Sequence, residues 1–110
     1  MPPEERIRWQ HMIDAAEDAM GFMSGRTRAD LDRDRMLLFA VVRAIEIIGE
    51  AASKITPQTR TAHPEIPWPA IIGMRNRLVH AYFEIDTDLV WAAVTKEVPS
   101  LLAQLKAIEE

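Results

Sequence analysis

The chain of 110 residues has no cysteine, no surplus of positive charge and no long apolar run. Without cysteine it has no disulfide framework, no thiolate nucleophile and no cysteine-type zinc site, and a reducing compartment suits it. Its apolar stretches are too short to span a bilayer, and the charged start "MPPEERIRWQ" lacks the apolar core of a signal peptide. We therefore expect a cytoplasmic protein that does not associate with membranes.

The net charge of −4 at neutral pH argues against a broad electropositive surface for nucleic acid. Any contact with a polyanion must then be local, so a cluster of arginines is informative because it opposes the overall balance. The length predicts a single domain spanning residues 1–110, and small helical domains often gain stability by pairing. We expect one helical domain that forms a homodimer.

Apolar residues recur at three- and four-residue steps in four stretches, which is the pattern of amphipathic helices. Pro57 ends the second stretch, and Pro99 lies inside the fourth, where it should kink the helix or mark a short break. No strand pattern separates the stretches, so the sequence predicts an all-α fold, an up-and-down four-helix bundle. The predicted helices are Glu4–Met23, about Asp32–Ile55, Pro69 to about Ala81, and a fourth from a cap at Asp86 or Thr87 to Ile108.

The segment "GMRNRLVHAYFEID" gathers Arg75, Asn76, His80 and Tyr82 between apolar residues. Arginine provides a permanent charge and a planar fork that matches phosphate oxygens, and histidine can take and give protons near neutral pH. Together they suffice to cut RNA without metal. A base removes the 2′-OH proton, an acid protonates the departing 5′-oxygen, and a cation stabilises the charge on the phosphoryl oxygens.

The spacing of Arg75 and His80 constrains how they can cooperate. On an ideal helix, positions five apart differ by about 140° in direction and by about 7.5 Å along the axis, so the two side chains do not share a face. For both to meet one phosphate, the helix must end or bend near His80, or a second copy must contribute. The spacing favours a symmetric site composed of two copies.

Two stretches of the sequence resemble a known family, the HEPN-domain toxins of the HepT type. The stretch "HPEIPWPAIIGMRNRLVHAYFEIDTDLVW" is similar to the motif region of that family, and "RAIEIIGEAA" is similar to its second helix. The most specific part is the pattern Arg-Asn-x-x-x-His-x-Tyr, filled by Arg75, Asn76, His80 and Tyr82. An isolated Arg-x4-His would be a weak signal, but both flanks and the helical context strengthen it.

The resemblance implies an α-helical homodimer that acts as a metal-independent endoribonuclease in a toxin–antitoxin pair, with no cofactor. It also implies an antitoxin partner that is a minimal nucleotidyltransferase and silences the toxin by transferring AMP from ATP to Tyr82. The sequence leaves open whether toxin and antitoxin form a complex larger than the dimer. Bulky negative groups beside Arg75 and His80 would block the cleft and compete with RNA phosphate for the arginine.

Each of these residues also has a structural interpretation. His80 alone is more often a hydrogen-bonded structural histidine than a catalyst, and Arg75 can pair with Glu46 as well as bind phosphate. Asn76 either orients His80 or a phosphate, or ties down the helix end. Tyr82 is an ordinary ring at a bundle edge without the resemblance.

A polar stripe on the second helix contains Arg43, Glu46 and Glu50, and such stripes are usually solvated faces with intrahelical pairs. The resemblance places this side opposite the motif helix, where Glu46 would preorganise Arg75 or Arg43. The alternative function is a non-catalytic helical module that binds nucleotide or accompanies a nucleotidyltransferase, which the acidic net charge slightly favours.

Overall fold

A computed structural model describes residues 1–80 and 84–108 of the chain. Within these residues the fold is all-α, and its one β-type pairing is an isolated antiparallel bridge between Val79 and Ile85. No helix in these ranges is long and apolar enough to cross a membrane. The helices are α1 (Pro3–Met23), α2 (Arg28–Arg33), α3 (Arg35–Ser53), α4 (Pro57–Ala62), α5 (Trp68–Ile72), α6 (Met74–Leu78), α7 (Thr87–Ala92) and α8 (Val98–Ile108), with a π-helical turn Ala93–Glu97 before α8.

The core lies where α1 packs against α3 and α8, and α3 also packs against α5 and α6. The apolar stripes predicted from the sequence supply it, with Ile13, Ile45 and Leu105 almost fully buried. Trp9 is buried among them, and its indole N–H donates to the carbonyl of Leu105 at 3.1 Å. This bond satisfies the one polar group of a large apolar ring and fixes α8 against α1.

The predicted second helix, from about Asp32 to Ile55, is wrong at its start. Two helices, α2 and α3, occupy this region, and they meet at Asp34, whose backbone is extended with φ −115° and ψ 97°. The Asp34 carboxylate accepts a hydrogen bond from the backbone N–H of Leu37 at 3.1 Å and so caps α3. The charged stretch before it forms α2.

A further short helix, α4, begins at Pro57 with Thr56 as its cap. Glu5 of α1 is 4% exposed and reaches this start, where it accepts from the Thr56 N–H at 2.6 Å and from the Thr59 hydroxyl. Burial raises the pKa of Glu5, but the hydrogen bonds from Thr59 and Thr56 outweigh it, so the pKa lies below its ordinary value. The buried charge therefore joins the start of α1 to α4.

The fourth predicted helix begins as expected, since the Asp86 carboxylate accepts from the Leu89 N–H at 3.1 Å. The expected irregularity near Pro99 is present as the π-helical turn, which ends two residues before this proline. Proline has no N–H for the regular helical ladder, so a change of hydrogen-bond pattern just before it is physically reasonable. The chain remains helical to Ile108.

Gly49 sets the distance between α3 and the short helices that carry the arginine motif. A Cβ at this position would lie 3.1 Å from the carbonyl oxygen of Ile71 and 3.4 Å from that of Ile72. Any larger residue would therefore push α5 away from α3. The glycine allows the end of α5 to contact α3 directly, which brings the following helix, α6, alongside the polar stripe of α3.

Candidate functional site

The predicted third helix, Pro69 to about Ala81, is also wrong in its bounds. It begins at Trp68, divides at Gly73 into α5 and α6, and ends at Leu78. Val79 is already extended, with φ −116° and ψ 116°. His80 therefore lies beyond the helix rather than on it, which is one of the arrangements that the Arg75–His80 spacing requires.

A short antiparallel pairing fixes the backbone around His80. Its N–H donates to the carbonyl of Glu84 at 2.6 Å, and the N–H of Asp86 donates to the carbonyl of Leu78 at 2.8 Å. Between these bonds lies the bridge of Val79 with Ile85. The main chain thus holds His80 on one leg and Asp86 on the facing leg.

The sequence predicted a helix cap at Asp86 or Thr87. It did not indicate that the Asp86 carboxylate also lies beside His80. One carboxylate oxygen caps α7, and the other lies 3.6 Å from Nε2 of His80. The hydrogen bond from the Leu89 N–H lowers the pKa of Asp86, and His80 adds to this shift. The sequence signal available was an aspartate six residues after the motif histidine, but only the return of the chain makes that spacing a contact.

A network from α2 holds the start of α7, where Asp86 is the cap. The Arg28 guanidinium lies 2.7 Å from the carboxylate of Asp88 and donates to the Thr87 hydroxyl at 2.8 Å. The same hydroxyl donates to Asp32 at 3.1 Å. The charged segment that forms α2 therefore positions one side of the site.

Arg75 lies on α6 opposite the polar stripe of α3, as the resemblance implies. Its Nε is 3.7 Å from Oε1 of Glu46, and the second oxygen of Glu46 is 3.5 Å from Arg43. Arg43 also reaches Glu50 at 3.2 Å. The Arg75 side chain is 44% exposed, and a separation of 3.7 Å is an ion pair rather than a hydrogen bond. The guanidinium is oriented by Glu46 but keeps donors for a ligand.

Arg75 and Glu46 stand between two depressions in the surface. The first, which we call the polar groove, has a volume of about 190 Å³ and the second, the apolar groove, about 270 Å³. Both residues line both grooves. The other lining residues are Gly49, Glu50, Ser53, Ile72 and Asn76 in the polar groove, and Phe39, Val42, Val79 and Ile85 in the apolar groove.

Arg75 and His80 are connected through the residues that line the apolar groove. Val79 and Ile85 line the apolar groove with Arg75, and His80 directly follows Val79. His80 is 53% exposed, so its imidazole is open to a ligand. Both motif groups are exposed, but Arg75 lies near the start of α6 and His80 lies two residues beyond its end, and no direct contact joins their side chains within the described residues.

The remaining motif residues have different surroundings. Asn76 is exposed in the polar groove, and its amide makes no hydrogen bond to any residue in the described ranges, so it does not tie His80 in place there. Arg77 is exposed and pairs with Glu97 of the π-helical turn at 3.0 Å. Tyr82, the predicted site of AMP transfer, lies outside the described residues.

Sequence comparisons agree with the resemblance in the motif region. Residues 5–108 match the family described as "Ribonuclease HepT-like". "Probable ribonuclease HepT" of Thermococcus cleftensis is 42% identical over 77 residues, covering 70% of each chain. "Putative RNase TTE0752" of Caldanaerobacter subterraneus subsp. tengcongensis is 35% identical over 99 residues, covering 90% of this chain and 88% of the relative. "Putative RNase MJ1380" of Methanocaldococcus jannaschii is 34% identical over 97 residues, covering 88% and 89%. No solved structure matches the chain.

Proposed function

Because the chain belongs to the HepT-like ribonuclease family, we propose that it is an endoribonuclease that cleaves RNA without metal, using His80 and Arg75. The observation that carries this proposal is the state of the two side chains. Both are about half exposed, and each is oriented by a carboxylate at a distance longer than a hydrogen bond, 3.6 Å for His80 and 3.7 Å for Arg75. Groups held in this way can exchange their protein partner for a substrate.

In the proposed reaction the ribose 2′-oxygen loses its proton, attacks the adjacent phosphorus and displaces the 5′-oxygen, leaving a cyclic phosphate and a 5′-hydroxyl. His80 serves as general acid or base, and Asp86, 3.6 Å away, keeps its imidazole oriented. Arg75 donates to the phosphoryl oxygens as negative charge builds on them. Asn76, whose amide makes no hydrogen bond to the part of the chain that the structure describes, would bind a neighbouring phosphate oxygen or the ribose.

The direct test is cleavage of RNA by the purified protein in excess EDTA, beside His80→Ala. Parent cleavage with loss of about 100-fold to 10,000-fold in the variant would support the proposal. Absence of parent cleavage, or equal cleavage by both proteins, would remove it. In that case the non-catalytic nucleotide-binding module would be the better account, and equilibrium binding of ATP or AMP would test it.

We propose further that two copies build the site. Met36 is 84% exposed and Phe39 is 49% exposed, and Phe39 lines the apolar groove beside Arg75. Large apolar side chains next to a polar site are typical of a surface that another chain covers. In this arrangement each copy would bring its motif to a common cleft.

Mixing two inactive variants tests the shared site. If Arg75 of one copy works with His80 of the other, dimers formed from Arg75→Ala and His80→Ala chains contain one intact site and regain activity. If each site lies within one chain, every mixed dimer is inactive. The control is each variant mixed with itself, and co-purification of differently tagged chains shows that mixed dimers have formed.

Regulation by an antitoxin is the remaining part of the proposal. A minimal nucleotidyltransferase would place the Tyr82 oxygen in line with the α-phosphorus of ATP, forming a phosphodiester to AMP and releasing pyrophosphate. The added phosphate would repel RNA and attract Arg75. Intact-mass measurement after incubation with such an enzyme and ATP should show one added AMP in the parent and none in Tyr82→Phe. Both reactions would take place in the cytoplasm.

A further inference from the structure

A third depression lies between α3 and α1, next to the polar groove around α3. It has a volume of about 130 Å³ and shares Glu50 with the polar groove. The apolar groove, the polar groove and this third depression therefore form a connected series across α3. The third depression, which we call the α1–α3 hollow, is lined by Arg8, His11, Ile47, Glu50, Ala51 and Lys54.

Arg8 and Lys54, the cations of the α1–α3 hollow, differ from most other lysines and arginines of the described residues in their lack of a carboxylate partner. Arg28, Arg43 and Arg77 each have a carboxylate partner within 3.5 Å. Arg8 and Lys54, by contrast, make no ion pair or hydrogen bond with any of the described residues. Glu50, the carboxylate of the hollow, is paired with Arg43 at 3.2 Å. Among the described residues, the hollow thus has two cations without an ion-pair partner, in a chain whose net charge is −4.

The geometry suits an extended polyanion. Arg8 and His11 are three residues apart on α1, so they share a face and both point into the hollow. Lys54 follows Glu46 by eight residues along α3, a separation of about 12 Å at the helical rise. Glu46 lies beside Arg75, so one strand could contact Arg75 and continue over α3 to Lys54 and Arg8.

From this arrangement we infer that the α1–α3 hollow is a secondary phosphate-binding site for the RNA strand that extends from the cleavage site, with Arg8 and Lys54 as its ligands. The inference rests on the proposed ribonuclease function, because it takes RNA as the polyanion. It explains how an acidic protein could bind RNA. Local cations on one path provide the attraction that the overall charge does not.

The test is equilibrium binding of end-labelled RNA whose riboses carry 2′-O-methyl groups, which prevents cleavage. A long oligonucleotide should bind more weakly to Arg8→Gln and to Lys54→Gln than to the parent, by about two- to fivefold each. The salt dependence of binding should fall by about 0.7 in logarithmic slope for each lost contact. A dinucleotide, whose single phosphodiester cannot contact both Arg75 and Lys54, should bind equally to all three proteins.

Matched controls separate this site from general electrostatics. Arg33→Gln and Lys96→Gln remove exposed cations that line none of the three depressions and should leave binding unchanged. Arg8→Lys keeps the charge and should retain most of the affinity. Thermal unfolding of each variant identifies any loss caused by misfolding, since Arg8 is partly buried.

Three results would overturn the inference. They are parental binding of the long RNA by Arg8→Gln and Lys54→Gln, an equal loss in the two controls, or equally effective competition by polyglutamate, which would indicate an acidic protein as the partner. The cleavage assay with His80→Ala is independent of these results. If the parent cleaves RNA but the Arg8 and Lys54 variants bind it as tightly as the parent does, the ribonuclease proposal stands and the secondary site is removed. If the variants bind RNA more weakly but the parent does not cleave it, catalysis is removed and the RNA-binding path stands.

Discussion

Two regions of this protein each place a carboxylate at the start of a helix, but they hold it differently. In the Glu5 junction, formed by Glu5, Thr56 and Thr59, the carboxylate is buried and accepts hydrogen bonds of normal or short length. In the motif corner, formed by Arg75, His80, Glu46 and Asp86, the contacts to the two motif side chains are 3.6 and 3.7 Å long and exposed. Short buried contacts stabilise a fold, whereas long exposed ones orient groups that remain available.

The largest effect should come from the motif corner. Arg75→Gln should reduce RNA cleavage by about 100-fold to 1000-fold, because it removes the donor that stabilises the phosphoryl oxygens. Arg77→Gln is the matched control, two residues away on the same short helix and paired with Glu97 on another side. Cleavage rates and melting temperatures of both variants check this. Equal losses of activity would mean that Arg75 has no special role.

Substitutions in the Glu5 junction should lower the stability of the fold and leave RNA cleavage unchanged. Glu5→Leu leaves the Thr56 N–H without its acceptor and should lower the free energy of unfolding by about 1 to 3 kcal/mol, with cleavage by the folded protein unchanged. Glu5→Gln should cost less, because its amide can still accept one bond. Chemical denaturation measures the first effect. A fall in the activity of the folded protein would show that the two regions are coupled.

The charge of Glu5 also predicts a pH dependence. Its pKa is lower in the folded protein than in the unfolded chain, so its contribution is present above the unfolded pKa and is lost as the pH falls through the folded value. Denaturation of the parent and Glu5→Gln at neutral and acidic pH should give curves whose difference shrinks on acidification. A difference that is constant with pH would mean that the charge contributes nothing.

Gly49→Ala should reduce both the stability of the fold and the rate of RNA cleavage. The new Cβ would lie 3.1 Å from the Ile71 carbonyl, so α5 and α6 must shift away from α3, and we expect a loss of about 1 to 3 kcal/mol. The shift would also increase the distance between Arg75 and Glu46 and so reduce cleavage. Gly21→Ala, where a Cβ meets nothing within 4 Å, is the control and should be slightly stabilising. The free energy of unfolding and the cleavage rate of both variants test this prediction, and equal values for the two variants would contradict it.

Asp86→Asn should have the smallest effect. Asparagine caps a helix about as well as aspartate, so α7 should remain intact. The loss of negative charge 3.6 Å from His80 should lower cleavage by about two- to fivefold, since the contact is exposed and screened. Cleavage rates of Asp86→Asn and the parent measure this effect. An unchanged rate would remove Asp86 from the proposed mechanism.

How well the sequence predicted each region depends on how local its determinants are. The caps at Asp86 and the stripes that bury Ile13, Ile45 and Leu105 follow from residues within a few positions of one another, and they were predicted. The break at Asp34 and the end of α6 at Leu78 were not, because helical periodicity continues across both places. There, hydrogen bonds to other parts of the chain, such as Asp86 N–H to the Leu78 carbonyl, compete with the next helical turn.

The candidate site divides in the same way. The sequence indicated Arg75, Asn76, His80 and the stripe of Arg43 and Glu46, and it related the arginine to Glu46. It did not indicate that Asp86 faces His80 or that Arg8 and Lys54 share a hollow. Those contacts join residues from different elements.

By itself, the sequence determined that this protein is helical, which faces of its helices are buried, and which side chains could handle a phosphate. Periodicity, capping and residue chemistry are local properties, and a linear pattern records them completely. Only the tertiary structure decided where α6 ends and which carboxylates face Arg75 and His80. These depend on the close approach at Gly49 and on the return of the chain from Val79 to Ile85, which bring together groups that are distant or differently directed along the chain.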